Sequence, residues 1–348
     1  MTNEPLSAAD RVLLDTVQEA VPLVEAPFAA LAESLGMSES DVLARLRSLK
    51  HDRGFIRQIG AIFDTKALGY ESTLVAARYD DDAIDSGAAV VSAHPGVSHN
   101  YRRNHAFNLW YTLAVPPDSR LGLERTAERL HTLSGAVATR LLPTLKLFKI
   151  GVHFDMCGHS GPTVQGVRPS HAASDQDGMH THCLSEQDVA AIRVLQRDLA
   201  LVSEPFAALA AEAGCTTAEL LVTARRLLER KQMRRFAAVL RHREAGFAHN
   251  CMAVWNVPDA DVEAAGATMA GFDAVSHCYL RPRHPDWPYN LFTMVHGRTE
   301  QEVRGALDAI AEATGIAERE ELASVCEYKK TRIEYFTPAI AEWEARYG

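Results

Sequence analysis

Polar and apolar positions follow the same order twice along the chain. Ser7-x-x-Asp10 precedes one run of apolar residues at helical spacing, and Ser185-x-x-Asp188 precedes another. A hydroxyl followed three residues later by a carboxylate is the pair that satisfies the free N–H groups of a helix start. Each first helix is followed by a short apolar one, PFAALAESLG closed by Gly36 or PFAALAAEAG closed by Gly214. Glycine at that place accepts the left-handed conformation that ends a helix. Ser38-x-x-Asp41 or Thr216-x-x-Glu219 then opens a third helix, which completes a helix-turn-helix layout. Behind it, Phe55 to Phe63 and Met233 to Leu240 are apolar-rich and read as strands, so each half begins as a winged helix.

The remainder of the first half alternates in type. The pattern predicts a strand at Thr73–Arg78, a helix at Asp81–Ala93, strands at Val97–Arg102 and Asn108–Val115, a helix at Leu121–Leu133 and a strand at Leu145–Phe154. That order is β-α-β-β-α-β, a ferredoxin-like unit. An offset of 178 residues relates Pro27 to Pro205 and His99 to His277, so the chain is an internal duplication. The fold class expected is α+β, a tandem repeat of winged helix-turn-helix plus ferredoxin-like βαββαβ domains. Boundaries fall at 1–64 and 65–157 for the first pair and at 184–241 and 242–348 for the second. Residues 158–183, rich in Gly, Ser, His and Asp with no apolar period, read as a linker.

With 348 residues, 47% of them hydrophobic and 23% charged, the chain has room for several packed cores and the composition of a soluble protein. No apolar stretch approaches the roughly 20 residues that span a bilayer, and no basic leader precedes an apolar run, so a cytoplasmic protein without a membrane partner is expected. Six scattered cysteines without C-x-x-C spacing indicate neither a disulfide framework nor a zinc ribbon. A formal charge of −9 disfavours a large polyanion held by bulk electrostatics, while leaving local arginine clusters free to hold a small anion.

Candidate chemistry concentrates in SHNYRRNHAFNLWYTLAV, from Ser98, and SHCYLRPRHPDWPYNLFTMVHG, from Ser276. Alternate strand residues share a face, so His99 and Tyr101 are presented together, as are His277, Tyr279 and Arg281. Arg102 and Arg103, or Arg281 and Arg283, stand where each hairpin turns, beside His105 or His284, and guanidinium groups there suit carboxylate capture. Taken singly, a strand histidine is more often a satisfied structural residue, and Phe107, Trp110, Trp287 and Phe292 are more often core aromatics. Recurrence of the whole mixture in two otherwise diverged halves favours a ligand-facing role. Only the second half adds His296 on the later strand. The linker histidines His159, His171, His180 and His182 lack the four-ligand spacing of a zinc site, so no metal site is expected. A glycine-rich phosphate loop is absent as well.

The layout resembles the Lrp/AsnC family of regulators, which implies DNA binding by the first domain and ligand binding by the second. The recognition helix SESDVLARLRSLKH, however, mixes Glu39 and Asp41 with Arg45, Arg47 and Lys50 rather than being basic throughout. The phrases HNYRRNH-x-x-NLW-x-T and SHCY-x-RP-x-x-P-x-WPYNLF-x-M-x-HG are similar to those of siroheme decarboxylases, in the fused form of haem d1 biosynthesis. That resemblance implies removal of CO2 from two acetate side chains of siroheme to give 12,18-didecarboxysiroheme, as a non-oxidative carboxy-lyase. It implies no cofactor, the iron being part of the substrate. It also implies active-site histidines at His99, His105 and His277, to which the hairpin chemistry adds His296. Tyr101, Arg102, Arg103, Trp110, Tyr279, Arg281 and Arg57 are the expected substrate-binding residues. The expected partner is siroheme or a related iron tetrapyrrole and not nucleic acid. The two halves are expected to pair as an internal pseudo-dimer, with association between chains left open. The alternative is a regulator of the Lrp/AsnC type that senses a tetrapyrrole.

Overall fold

A computed structural model describes residues 6–150, 183–241 and 249–348. The first half runs α1 (Ala8–Glu19), α2 (Pro27–Leu35), α3 (Glu39–Arg47), β1 (Ile56–Phe63), β2 (Glu71–Arg78), α4 (Ile84–Ala93), β3 (Val97–Arg103), β4 (Leu109–Val115), α5 (Gly122–Ser134), β5 (Ala138–Pro143) and β6 (Lys146–Ile150). The second runs α6 (Glu186–Leu195), α7 (Phe206–Glu212), α8 (Thr217–Glu229), β7 (Met233–Leu240), β8 (His249–Trp255), α9 (Val262–Gly271), β9 (Val275–Leu280), β10 (Leu291–Gly297), α10 (Glu300–Thr314), β11 (Arg319–Lys330) and α11 (Ala339–Tyr347). The hydroxyls of Ser7, Ser38, Ser185 and Thr216 each accept the N–H three residues on, and the last two complete reciprocal capping boxes. No single described helix is long and apolar enough to cross a membrane.

The wing differs from the sequence expectation in its partner. Among the described residues each half supplies one wing strand, and β1 pairs antiparallel with β7, so the two halves build one ribbon between them. Beneath it a single apolar core holds Leu13, Phe28 and Leu46 of one half with Ile192, Phe206 and Leu227 of the other. Cations of α3, of the turn that follows it and of α8 are engaged inside this assembly. Arg47 donates to Leu201 O at 2.6 Å, Lys50 pairs with Asp198 at 2.6 Å, Arg225 donates to Leu23 O at 2.8 Å and Arg226 meets buried Asp188 at 2.6 Å.

The other strands form one sheet in the order β5-β2-β4-β3-β11-β8-β10-β9-β6. Its first and last strands are separated in the chain only by Thr144 and Leu145, so the sheet curls back on itself. Helices α4 and α5 cover one half of it and α9 and α10 the other, each over its own apolar core. A further cluster, including Trp110, Leu142, Val254, Trp287 and Phe292, joins the halves inside the curl.

The strand expected at Leu145–Phe154 is corrected. Its described part, β6, leaves the first half and pairs with β9, while the strand that closes the first unit is the unforeseen β5 on β2. Pro143 stands at the break, where a missing N–H ends the ladder. β11 makes the same passage without a break: Arg319–Ala323 pairs with β8 and Ser324–Lys330 with β3. Gly266 of α9 permits the crossing, because a side chain there would lie 2.4 Å from the Phe148 ring of β6. The C-terminal helix α11 was also not foreseen. Glu344 on it accepts from Ser119, Arg120 N and Leu121 N ahead of α5, and Trp343 packs edge-on to His94 at 4.3 Å.

His94 is wholly buried and accepts from Gly96 N, and burial followed by nearby Lys329 lowers its pKa from 6.5 to about 3. A depressed histidine leaves the unfolded chain binding more protons between those values, so its contribution is full above about 6.5 and is lost as pH falls towards 3. The expected result is a denaturant midpoint that declines across that window, with a flatter decline in His94→Asn.

Candidate active site

β3 and β9 carry matching arrays on the face turned into the curl. Ser98 Oγ lies 2.9 Å from His99 Nδ1, and Ser276 Oγ lies 2.7 Å from His277 Nδ1. A hydroxyl fixed to Nδ1 sets the ring orientation and leaves Nε2 as the reacting nitrogen. His99 then stacks on Tyr101 and His277 on Tyr279, at 6.2 and 5.9 Å with 26° between planes in both. Beyond each tyrosine stands a buried arginine, Arg103 at 5.6 Å from the Tyr101 ring and Arg281 at 4.8 Å from the Tyr279 ring. Intervening residues face the helices: Asn100 donates to Ala88 O on α4, and Cys278 to Gly266 O on α9.

Arg103 and Arg281 are equivalents in the repeat and are held alike. Arg103 Nη1 donates to Leu322 O of β11 at 2.6 Å, and Arg281 Nη1 donates to Leu142 O of β5. Neither pairs with a carboxylate among the described residues, and the Nε of each is buried without an acceptor. Burial pushes both guanidinium groups down to about 10. Two buried cations with an unfilled donor apiece are costly unless an anion joins them.

The other expected site residues fall in different places. Arg102 turns away from Arg103 and pairs with exposed Asp81 at 3.0 Å, an arrangement that strand alternation imposes. Trp110 is 1% exposed and donates to Phe107 O, which makes it a core residue rather than a contact surface. His105 has both ring nitrogens engaged, Nδ1 accepting from Phe107 N and Nε2 standing 3.0 Å from Glu320. His284 holds Leu141 O at 2.9 Å and Arg283 is tied to Asp259, so neither joins an array. Arg57 of β1 is brought to the first array, donating to Lys330 O at 3.2 Å, where Lys330 is the register partner of His99. His296 joins the second array: Ser276 Oγ lies 2.7 Å from its Nε2, while the corresponding contact of Ser98 is Thr112 Oγ1 at 2.7 Å. The linker histidines lie outside the described residues, and no group of metal-ligating side chains occurs among those described.

Sequence reasoning named Arg57 but missed the other cations around the first array, Lys330, Arg332 and Arg235. His99 is lowered from 6.5 to about 4 by burial, then by Lys330 and Arg57. Half-buried Arg332 is depressed by burial, then by Arg57, and further by Arg235. Arg235 was recoverable, since it follows Arg57 by the repeat offset of 178 residues. An array of neutral histidine, tyrosine and clustered guanidinium groups can hold a flat polycarboxylate and place one proton-bearing nitrogen against it.

Two family models match the chain. One, described as an AsnC-like ligand binding domain, covers residues 67–149 and 244–329. The other, described as a siroheme decarboxylase NirDL-like HTH domain, covers residues 10–57 and 188–234. A siroheme decarboxylase of Hydrogenobacter thermophilus is 36% identical over 332 residues, 95% of this chain and 96% of that one. The siroheme decarboxylase NirDL subunit of Paracoccus denitrificans is 36% identical over 90% of this chain and 91% of its own. The crystal structure of the siroheme decarboxylase NirDL in complex with an iron-uroporphyrin III analogue matches with TM-score 0.75 at 32% identity, covering 97% of each chain.

Proposed function

The chain belongs to the siroheme decarboxylase family, and on that premise we propose that it removes CO2 from two acetate side chains of siroheme, giving 12,18-didecarboxysiroheme for haem d1 biosynthesis, as a non-oxidative carboxy-lyase. The observation that carries the reading is the pair of Ser-His-Tyr-Arg arrays, each ending in a buried guanidinium with no carboxylate partner among the described residues. Siroheme supplies carboxylates to such donors. When the bond from a carboxylate to its methylene breaks, the electron pair passes into the conjugated ring, and a proton added at that carbon makes a methyl group. No electron leaves the substrate, so the reaction needs no redox cofactor.

The arrays supply what the macrocycle does not. Arg103 and Arg281 anchor carboxylates, the tyrosines bound the ring, and His99 or His277 delivers the proton from Nε2. His99 is held neutral at about 4 by burial and by Lys330 and Arg57. A carboxylate arriving beside those two cations offsets their repulsion and raises the affinity of His99 for a proton, so the acid form appears with substrate in place.

The regulator reading would require α3 and α8 to present their cations to DNA. Arg47 and Arg225, with Lys50 just beyond α3, instead hold the two helix-turn-helix units together, and Arg226 is tied to buried Asp188 within its own unit. Absorption titration separates the readings: siroheme is expected to bind with a displaced Soret band, while a mobility shift on the protein's own promoter is expected to show no salt-steep complex. A tight operator complex without a Soret change would reverse the assignment.

A further inference from the structure

The two arrays differ at two places on the neighbouring strand, Thr112 and Ala114 of β4 against Met294 and His296 of β10. In the repeat, His296 of β10 stands where β4 has Ala114: His296 N donates to Ala274 O and Ala114 N donates to Gly96 O, each at 2.9 Å, and Ala274 follows Gly96 by 178 residues. The second half therefore has an imidazole against a serine that both halves carry. Ser276 Oγ lies 2.7 Å from His277 Nδ1 on one side and 2.7 Å from His296 Nε2 on the other, a continuous nitrogen–hydroxyl–nitrogen path. In the first half the same path runs from His99 Nδ1 through Ser98 Oγ and reaches Thr112 Oγ1. A threonine hydroxyl does not ionise near neutrality, so it has no proton to give.

We propose that the second half is the proton-delivering site, and that Ser276 relays a proton from His296 to His277 for both decarboxylations. The proposal rests on the decarboxylase reading and adds which half performs the step. The proton balance is complete. Protonated His296 gives its Nε2 proton to Ser276 Oγ, Ser276 gives its own to His277 Nδ1, and His277 gives its Nε2 proton to the methylene carbon from which CO2 has left. The electron pair of the broken bond ends in the new C–H bond and His277 finishes neutral in its other tautomer; a solvent proton taken at His277 Nε2 then sends the Nδ1 proton back through Ser276 to His296, which restores the starting state for the second decarboxylation. His296 and His277 are half-exposed, so that recharging needs no opening of the fold. His277 is the catalytic residue in this scheme, with Ser276 and His296 as positioning residues that act through it.

The test uses the full chain with siroheme under anaerobic conditions. His296→Ala copies the residue the first half already carries, so it retains the fold. Both Ser276→Ala and His296→Ala are expected to lower kcat by about 10²-fold, the lower range for a positioned proton donor, with the Kd for siroheme within about threefold of the parental value. Ser276→Thr keeps the hydroxyl and is expected to recover most of the rate. Rate plotted against deuterium fraction in the solvent should be curved for the parental protein, with several protons moving, and straight for Ser276→Ala. Ser98→Ala should lose at least tenfold less than Ser276→Ala. Parental kcat in either second-half variant, or an equal loss in Ser98→Ala, overturns the relay. A parental protein that releases no CO2 from siroheme overturns the functional reading itself, which makes the two failures distinguishable.

Discussion

Alanine at His277 is expected to slow decarboxylation of siroheme by about 10²- to 10⁴-fold, the range for loss of a positioned general acid. The geometry behind the figure is specific. Ser276 holds Nδ1 and Tyr279 stacks on the ring, so the imidazole is held in one orientation. His277 is only half-buried, unlike the apolar core of its half. Circular dichroism and the thermal midpoint of His277→Ala should therefore stay close to parental. If the imidazole served only as an iron ligand, its loss would change the absorption spectrum of bound siroheme in parallel with turnover. As a proton donor, its loss changes turnover while the spectrum stays the same. His171→Ala and His180→Ala, in the linker, are expected to turn over at the parental rate.

Removing either buried guanidinium should act on binding instead. Among the described residues Arg103 and Arg281 each leave Nε unpaired and donate to one carbonyl of the opposite half, apart from the 3.2 Å contact of Arg103 with Ser324. A charge-assisted hydrogen bond contributes about 1.5–3 kcal/mol, so Arg281→Ala or Arg103→Ala should raise the Kd for siroheme by about one to two orders of magnitude. Each change also strands a main-chain carbonyl at Leu142 or Leu322 and lowers stability. Arg281→Met therefore serves as a control that keeps the packing on Tyr279 and Phe292 while removing the charge. Loss of affinity in Arg281→Met with a thermal midpoint near that of the parental protein assigns the effect to charge. Parental affinity in both Arg281→Met and Arg103→Ala would remove these arginines from the substrate site. Arg102→Ala is expected to bind as the parental protein does, since its partner is exposed Asp81 on the other face.

Much of this was legible in the chain because it is local. Capping residues announce helix starts within four positions, and strand alternation placed His99 with Tyr101 and His277 with Tyr279 before any coordinates. The repeat offset identified the halves and their equivalent hairpins. What escaped depends on pairing between distant segments. Nothing near Ile56 or Met233 indicates that each wing strand has the other as its partner, and nothing near Lys146 indicates that β6 pairs with a strand of the opposite half. Pro143 marked a break, and the reading passed over it. Adjacent arginines were treated as one group although alternation sends Arg102 and Arg103 to opposite faces. Trp110 looked like ligand surface because its hairpin does, yet the interior of the curl needs large aromatics to join the halves, and Trp110 stands against Trp287 at 5.2 Å.

The most direct measurement is the mass of the tetrapyrrole recovered after anaerobic incubation of purified protein with siroheme, with no added reductant, oxidant or cofactor. The account expects two successive losses of carbon dioxide and two new methyl groups, each carrying one solvent-derived deuterium when the reaction is run in heavy water. Siroheme recovered unchanged, or product that forms only when an electron acceptor is supplied, would contradict it.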